Sequence, residues 1–497
     1  MTILIKNVRK ANGRYGKLFV KLRTPAQKEE FYSYDVGSGN LSICCCVTFF
    51  IFTIIIIMGS ICFYKERHHQ TVSLIYPPPK LSDVPNWWYN RGEDLKKLLV
   101  DGMSQNQHVL KITHKQPHQP LPEERQTSPD VKKLVCYYAM PDPLKKFDSL
   151  QLKNIDANLC THVNVGIVPI IDNTLAITSE MVQLFNETRE LRAKNKDLKF
   201  LIWTGGVDYE KSFANMVKNH ANRKAFIRSL KFALREYEFD GIDLDWEFPS
   251  AFNKERQHFS QLLQEIRREY QREKRDYLLT VAVAAVEGIA YYAYDVKEIN
   301  KYADFANIMT YDYHFWTRGT PFTGLNAPLY PRKHEHSILG TLNLNYSLNF
   351  WHSSGLDKNK IVVGLPTYGH SFKLVNPFNH EIGAPASGYG NVGKMGFASF
   401  SEVCWFKQNN IYVTIVYDPD TCSPYLHSVN EWISFENQQS LACKTKFIRD
   451  QGYGGAMLFS LNTDDFGMLC SRNTIEYEND VPETFPLIRK VKSILFK

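Results

Sequence analysis

The sequence predicts an α/β protein: a (β/α)8 barrel with a small α+β insertion after strand 7, plus one N-terminal transmembrane helix. Three observations predict it. Beyond Val131, eight short apolar runs alternate with amphipathic stretches. One gap between runs, about 85 residues from Pro366 to Gly454, is too long for a strand–helix unit. And 24 residues from Leu41 to Tyr64 carry neither charge nor proline.

The apolar stretch comes first in the chain. At ~1.5 Å per residue it makes about 36 Å of helix, enough to cross a hydrocarbon layer of ~30 Å. A cleaved signal peptide has a shorter run and a shorter leader than the 40 residues found here. An uncleaved signal anchor is therefore expected at 41–64. Flanking basic residues do not orient it, since Lys21, Arg23 and Lys28 on one side match Lys65, Arg67 and Lys80 on the other. The cysteines do. Cys44, Cys45, Cys46 and Cys62 lie in the apolar run, where lipidation of 44–46 competes with simple membrane tolerance. The other six all lie beyond residue 131. An even number on one side suits disulfides in an oxidising compartment, although six cysteines allow fifteen pairings. Sequons at Asn186 and Asn345 agree with glycosylation there. The expectation is a single-pass type II membrane protein with its C-terminal bulk extracellular or luminal.

Residues 1–40 form the cytoplasmic tail in this scheme. They hold eight Lys/Arg against three acids, so most of the net charge of +7 sits there. The rest of the chain is close to neutral, which excludes an obvious nucleic-acid binder. The tail suits either an acidic membrane surface or plain solvation. Residues 65–130, punctuated by Pro77-Pro78-Pro79, Pro85, Pro117, Pro120, Pro122 and Pro129, read as an extended stalk. A hydrophobic content of 44% and charged content of 22% are near globular averages and exclude a mostly disordered or fibrous chain.

The eight runs are 133–138, 161–168, 199–203, 241–247, 278–286, 305–310, 360–365 and 455–461, with helical patterns such as 223–237 and 257–270 between them. The fourth carries the chemistry: Asp240-Gly-Ile-Asp243-Leu-Asp245-Trp-Glu247. Side chains alternate along a strand. Ile242, Leu244 and Trp246 share one face, and Asp243, Asp245 and Glu247 share the other. With the apolar face on the helices, the acids point into the barrel and climb toward its C-terminal mouth, where barrel active sites sit. Adjacent carboxylates cannot all ionise cheaply, so at least one pKa rises. Glu247, uppermost, is the natural general acid. A solvated acidic edge is the plainer alternative, opposed by the apolar flanks. A hard-cation site is another, opposed by the poor geometry of three carboxylates on one strand.

This run resembles the Asp-x-x-Asp-x-Asp-x-Glu signature of family 18 chitinases. The resemblance extends over about 131–497. Thr204-Gly205-Gly206 is similar to the third-strand motif, and Met309-Thr-Tyr311-Asp312 to the sixth. Gly364-Leu-Pro-Thr-Tyr368-Gly resembles the seventh, Gly454-Gly-Ala-Met457 the eighth, and the long gap (about 372–446) the family's insertion domain. The resemblance implies disulfides Cys136–Cys160 and Cys404–Cys470. Cys422 and Cys443, the two left over, are assigned to each other.

It also implies a retaining, substrate-assisted mechanism on chitin or N-acetylglucosamine oligosaccharides, with no metal and no organic cofactor. Catalytic roles fall to Glu247 (acid), Asp245 (orienting the substrate acetamide) and Asp243 (sharing charge with Asp245), while Asp240 is a structural acid. Met309, Tyr311, Asp312, Tyr368, Phe459 and Trp316 are the implied substrate-binding residues. The chain departs from the family where sugars stack. The third-strand Gly-Gly-Trp is Gly205-Gly206-Val207, and the eighth-strand Trp is Phe459. Smaller π-faces predict a weaker grip on long chitin. Hydrolysis is the leading expectation. A non-hydrolysing chitin- or glycan-binding lectin, a cuticle or matrix organiser, and hydrolysis of N-linked glycan cores are the alternatives.

Overall fold

In the computed structural model, the described residues are 17–22, 30–35, 131–141, 149–250, 253–470 and 483–497. The expected membrane anchor at 41–64 and stalk at 65–130 lie outside them. Among the described residues no helix is long and apolar enough to cross a membrane. Within the expected basic tail the chain forms an antiparallel hairpin that the sequence reading did not anticipate. Its strands, Lys17–Leu22 and Glu30–Asp35, pair in the register Lys17↔Asp35 to Leu22↔Glu30. The described residues fall into two compact units, one within 1–83 and the other within 84–497.

All eight expected runs are strands, and all eight close into one TIM barrel. They are β1 Lys133–Ala139, β2 His162–Gly166, β3 Lys199–Gly205, β4 Gly241–Asp245, β5 Leu278–Ala284, β6 Phe305–Met309, β7 Ile361–Pro366 and β8 Gly455–Phe459. Each pairs in parallel with the next, and β8 pairs with β1. Strands buried on both faces explain the near-continuous apolar runs.

Helices cover the outside as the 3.6-residue period requires. Glu255–Arg272 buries Phe259, Leu262, Leu263, Ile266 and Tyr270. His220–Glu236 is capped by Asn219, whose side chain accepts the Asn222 N–H. Just past β4, Trp246 is buried, edge-on to Phe259 of Glu255–Arg272 at 5.8 Å and stacked on Phe213 of helix Glu210–Val217 at 5.5 Å and 10°.

After β7 the chain builds a six-stranded antiparallel sheet on the mouth side of the barrel sequence, from Tyr368–Leu374 to Glu431–Ser434. Two small cores of its own hold it, one around Phe372 and Trp432, the other around Val403 and Ile433. The insertion therefore begins earlier than expected. It also ends earlier, because the helix Gln438–Asp450, inside the expected limits, packs Leu441 and Ile448 into the barrel core.

All three expected disulfides are present: Cys136–Cys160, Cys404–Cys470 and Cys422–Cys443. The first ties β1 to the loop before β2. The third ties the insertion to helix Gln438–Asp450.

Candidate active site

The register of β4 sets the acids. Asp243 lies opposite Trp203 on β3 and Thr280 on β5, one pleat below Asp245. Asp240, at the foot of the strand, faces away from the mouth. Its carboxylate accepts from Arg192 at 2.7 Å and from the Phe200 N–H at 2.8 Å, and Lys199 lies 3.5 Å away. It clamps the foot of β4 to β3 and to helix Ser179–Lys194.

Asp243 is completely buried. Tyr137 Oη and Thr280 Oγ1 each donate to it at 2.5 Å, and Asn307 Nδ2 donates at 3.0 Å. Donors from β1, β5 and β6 thus converge on one carboxylate. Burial raises its pKa to about 6, against the lowering effect of those same hydrogen bonds. Burial, helped by the neighbouring Asp243 and Asp245 charges, holds the Tyr137 phenol well above its ordinary value, so it stays a donor.

Asp245 is 3% exposed, and its Oδ2 accepts from the Trp203 indole N–H at 3.0 Å. Glu247 follows where the chain leaves the sheet, half-buried, and the Glu247–Phe248 peptide is cis. Asp245 and Glu247 open onto a cavity of about 290 Å³. Met309, Tyr311, Tyr368 and Phe459 line it. The three aromatic rings form a continuous wall: Tyr311 lies 5.9 Å from Phe459 and 5.9 Å from Tyr368. Val207 is on the rim with Asp208 and Tyr209.

Two expected binding residues do not line this cavity. Asp312 has positive φ (58°) and a carboxylate turned to the insertion side. There it accepts from Tyr368 Oη at 2.6 Å and meets His370 Nε2 at 2.7 Å. Its backbone N–H donates to Asn326 Oδ1 at 2.9 Å. Asp312 therefore acts on the cavity through Tyr368, which it holds. Trp316 donates its indole N–H to Ala386 O at 3.1 Å and packs edge-on to Tyr389 in the core of the insertion. It braces the loop after β6 against the insertion.

The sequence reading missed Tyr137, Trp203, Thr280, Asn307, His370 and Phe397. Phe397, from the insertion, stacks on Tyr368 at 4.3 Å and 23° and closes one side of the cavity. Inward alternation on β1, β3, β5 and β6 was the available signal for the first four. It becomes readable only once the registers are known. The two sequons sit on helices. Asn186 is exposed on Ser179–Lys194, and Asn345, half-buried, opens Leu344–Ser353.

A closed parallel barrel with stacked acids at the mouth end of β4, facing an aromatic cavity, defines a glycosidase-type site. Comparison with known proteins specifies the class. Residues 133–464 match the model for glycosyl hydrolases family 18, and the chain belongs to that family. Chitotriosidase-1 of Mus musculus is 32% identical over 383 residues, covering 73% of this chain and 78% of that protein. Among solved structures, human YKL-39 is described as a pseudo-chitinase with retained chitooligosaccharide binding. It is 31% identical, with a TM-score of 0.67, and the match covers 74% of this chain and all of that one. The Group IV chitinase of Ostrinia furnacalis in complex with allosamidin is 31% identical, with a TM-score of 0.66 over 74% of this chain and 99% of that one. Similar proteins thus include both chitinases and a binder without hydrolysis.

Proposed function

We propose that this chain is a membrane-anchored chitinase that hydrolyses β-1,4-linked N-acetylglucosamine oligomers or polymers with retention at the anomeric carbon. The observation that carries it is the complete acid set on β4. Asp243 and Asp245 are buried in the barrel, and Glu247 stands above them at the cavity.

In this mechanism Glu247 gives its proton to the glycosidic oxygen as the bond to the anomeric carbon breaks. The acetamide oxygen of the same sugar forms the new bond, yielding an oxazolinium ion and a freed alcohol. Asp245 faces the acetamide nitrogen and balances its positive charge. Asp243 keeps a proton to share, consistent with its raised pKa of about 6. Water, deprotonated by Glu247, then opens the oxazolinium and restores the acid.

Residues 41–64 would anchor the chain, with 1–40 cytoplasmic and the barrel outside the cytosol. Three disulfides within 131–497 support that side of the membrane. The partner is a chitooligosaccharide. A second reading, a non-hydrolysing glycan binder, is favoured by one observation: the likeness to YKL-39.

The test is fluorophore release from a chitobioside or chitotrioside by secreted, disulfide-formed residues 65–497, beside Glu247→Gln. The expected result is turnover in the parent and a loss of at least about 100-fold in the variant. Tight oligomer binding with no turnover in either would establish the binder instead.

A further inference from the structure

The indole of Trp203 has a place in the site that the proposed chemistry has not used. It projects from β3 into the barrel and is 3% exposed. Its ring is gripped edge-on by Tyr137 at 5.0 Å and 89°, and by Phe459 at 5.8 Å and 87°. The neighbouring strand makes room for it. A Cβ on Gly166 of β2 would stand 2.5 Å from the Trp203 carbonyl oxygen and 2.9 Å from both its Cβ and ring Cε3. Held on these sides, the ring has one orientation, and in it Nε1–H points at Asp245 Oδ2 from 3.0 Å. In the ladder Trp203 pairs with Asp243, so the indole reaches one pleat upward to the next inward acid.

We propose that Trp203 is the positioning residue for Asp245 in the hydrolytic reaction, fixing the plane of its carboxylate and favouring its ionised form beside Glu247. The inference rests on the hydrolytic reading of the same site. Asp245 needs such a donor because of what surrounds it. Asp243 and Glu247 flank it on its own strand. Tyr137 on β1 and Tyr294 behind β4 are buried and near enough for its charge to help keep both phenols un-ionised, so the carboxyls on its own strand are the charges it must be held against. A rigid N–H aimed at one oxygen stabilises the anion and stops the carboxylate from rotating. The ring cannot swing away without displacing Tyr137, which carries the hydrogen bond to Asp243. Orientation of Asp245 and protonation of Asp243 are thereby fixed by one packed unit.

The experiment uses the full-length chain and compares Trp203→Phe with Trp351→Phe. Trp351 is a buried indole donating to Ala284 O at 3.0 Å and lies outside the cavity lining. For Trp203→Phe the expected result is a kcat lowered about tenfold, a KM within about twofold, and an acid limb of kcat/KM moved about one pH unit upward. Trp351→Phe should lower the melting temperature and leave the pH profile in place. A Trp203→Phe profile that superimposes on the parent, or one shifted equally by Trp351→Phe, overturns the proposal.

Should the parent not turn over, the hydrolytic reading fails and the contact is tested without it. In 5-fluorotryptophan-labelled full-length chain, the ¹⁹F resonance of Trp203, assigned through Trp203→Phe or Trp203→Tyr, should titrate in the acid range. It should lose most of that titration in Asp245→Asn. A resonance indifferent to pH, or titrating unchanged in Asp245→Asn, sinks the inference on its own.

Discussion

The barrel contains two pairs of closely spaced buried carboxylates, and they are held in opposite ways. Asp243 and Asp245 receive side-chain donors from β1, β3, β5 and β6. Asp464 and Asp465, just past β8, receive mainly backbone amides. Asp464 accepts from Asp465 at 2.7 Å, Ile488 at 3.0 Å and Leu487 at 3.4 Å. Asp465 accepts from Leu469 at 2.9 Å and Cys470 at 2.7 Å. The second pair therefore fastens the first turn of helix Pro486–Leu495 and the Cys470 loop to the barrel. Backbone donors serve any sequence and tie chain to chain. Side-chain donors are chosen one at a time and set charge and orientation, which is what a reacting carboxylate needs.

The sharpest way to break this comparison is to neutralise one acid of each pair. Asp243→Asn keeps the shape but not the charge. It should cost about 100-fold in kcat/KM while the melting temperature moves by a few degrees. Asp464→Asn presents an amide N–H to backbone N–H groups and leaves donors unpaired. It should destabilise the fold by about 3 kcal/mol in denaturant titration, with kcat unchanged per folded molecule. Reversed outcomes would mean that the two pairs do not divide function from fastening.

pH separates them next. Burial raises Asp464 to about 7 and Asp243 to about 6. A carboxyl with a folded pKa above its unfolded value prefers the proton in the folded state. Its contribution to stability is complete below the unfolded pKa, near 4, and is lost as pH rises through the folded value. The windows are about pH 4 to 7 for Asp464 and about pH 4 to 6 for Asp243. Melting temperatures measured across pH 4 to 8 should show the gap between parent and Asp464→Asn narrowing until about pH 7. A constant gap would refute the assignment to Asp464.

The same contrast explains what was legible beforehand. The acids of β4 lie on one strand, so a period of two and a chain of neighbours sufficed to place Asp243 and Asp245 inside and Trp246 outside. The eight strands were legible for the same local reason, because each is a short apolar run. The cavity wall is assembled from β1, β3, β6, the insertion and β8, and only the three-dimensional registers bring Tyr137, Trp203 and Phe397 to it. Trp316 lies off the cavity lining because nearness in sequence to Asp312 says nothing about which side of a loop a ring takes. The Ala386 carbonyl that captures its indole lies 70 residues away. The Asp312 carboxylate is likewise off the cavity lining, since His370 and Tyr368, which engage it, come from the insertion.

The smallest effects test that wall. Phe397 and Trp316 are both aromatic, both half-buried and both touch the insertion, but only Phe397 lines the cavity. Phe397→Ala removes the ring stacked on Tyr368 and should raise KM for a chitotrioside about five- to tenfold, the worth of one aromatic pair, with kcat nearly preserved. Trp316→Phe loses one indole hydrogen bond to Ala386 and should cost about 1 kcal/mol of stability. Its KM should stay within about twofold of the parent, because that ring is not part of the cavity lining. A KM raised as far by Trp316→Phe as by Phe397→Ala would put Trp316 back among the sugar platforms and extend the binding surface past the cavity onto the insertion sheet.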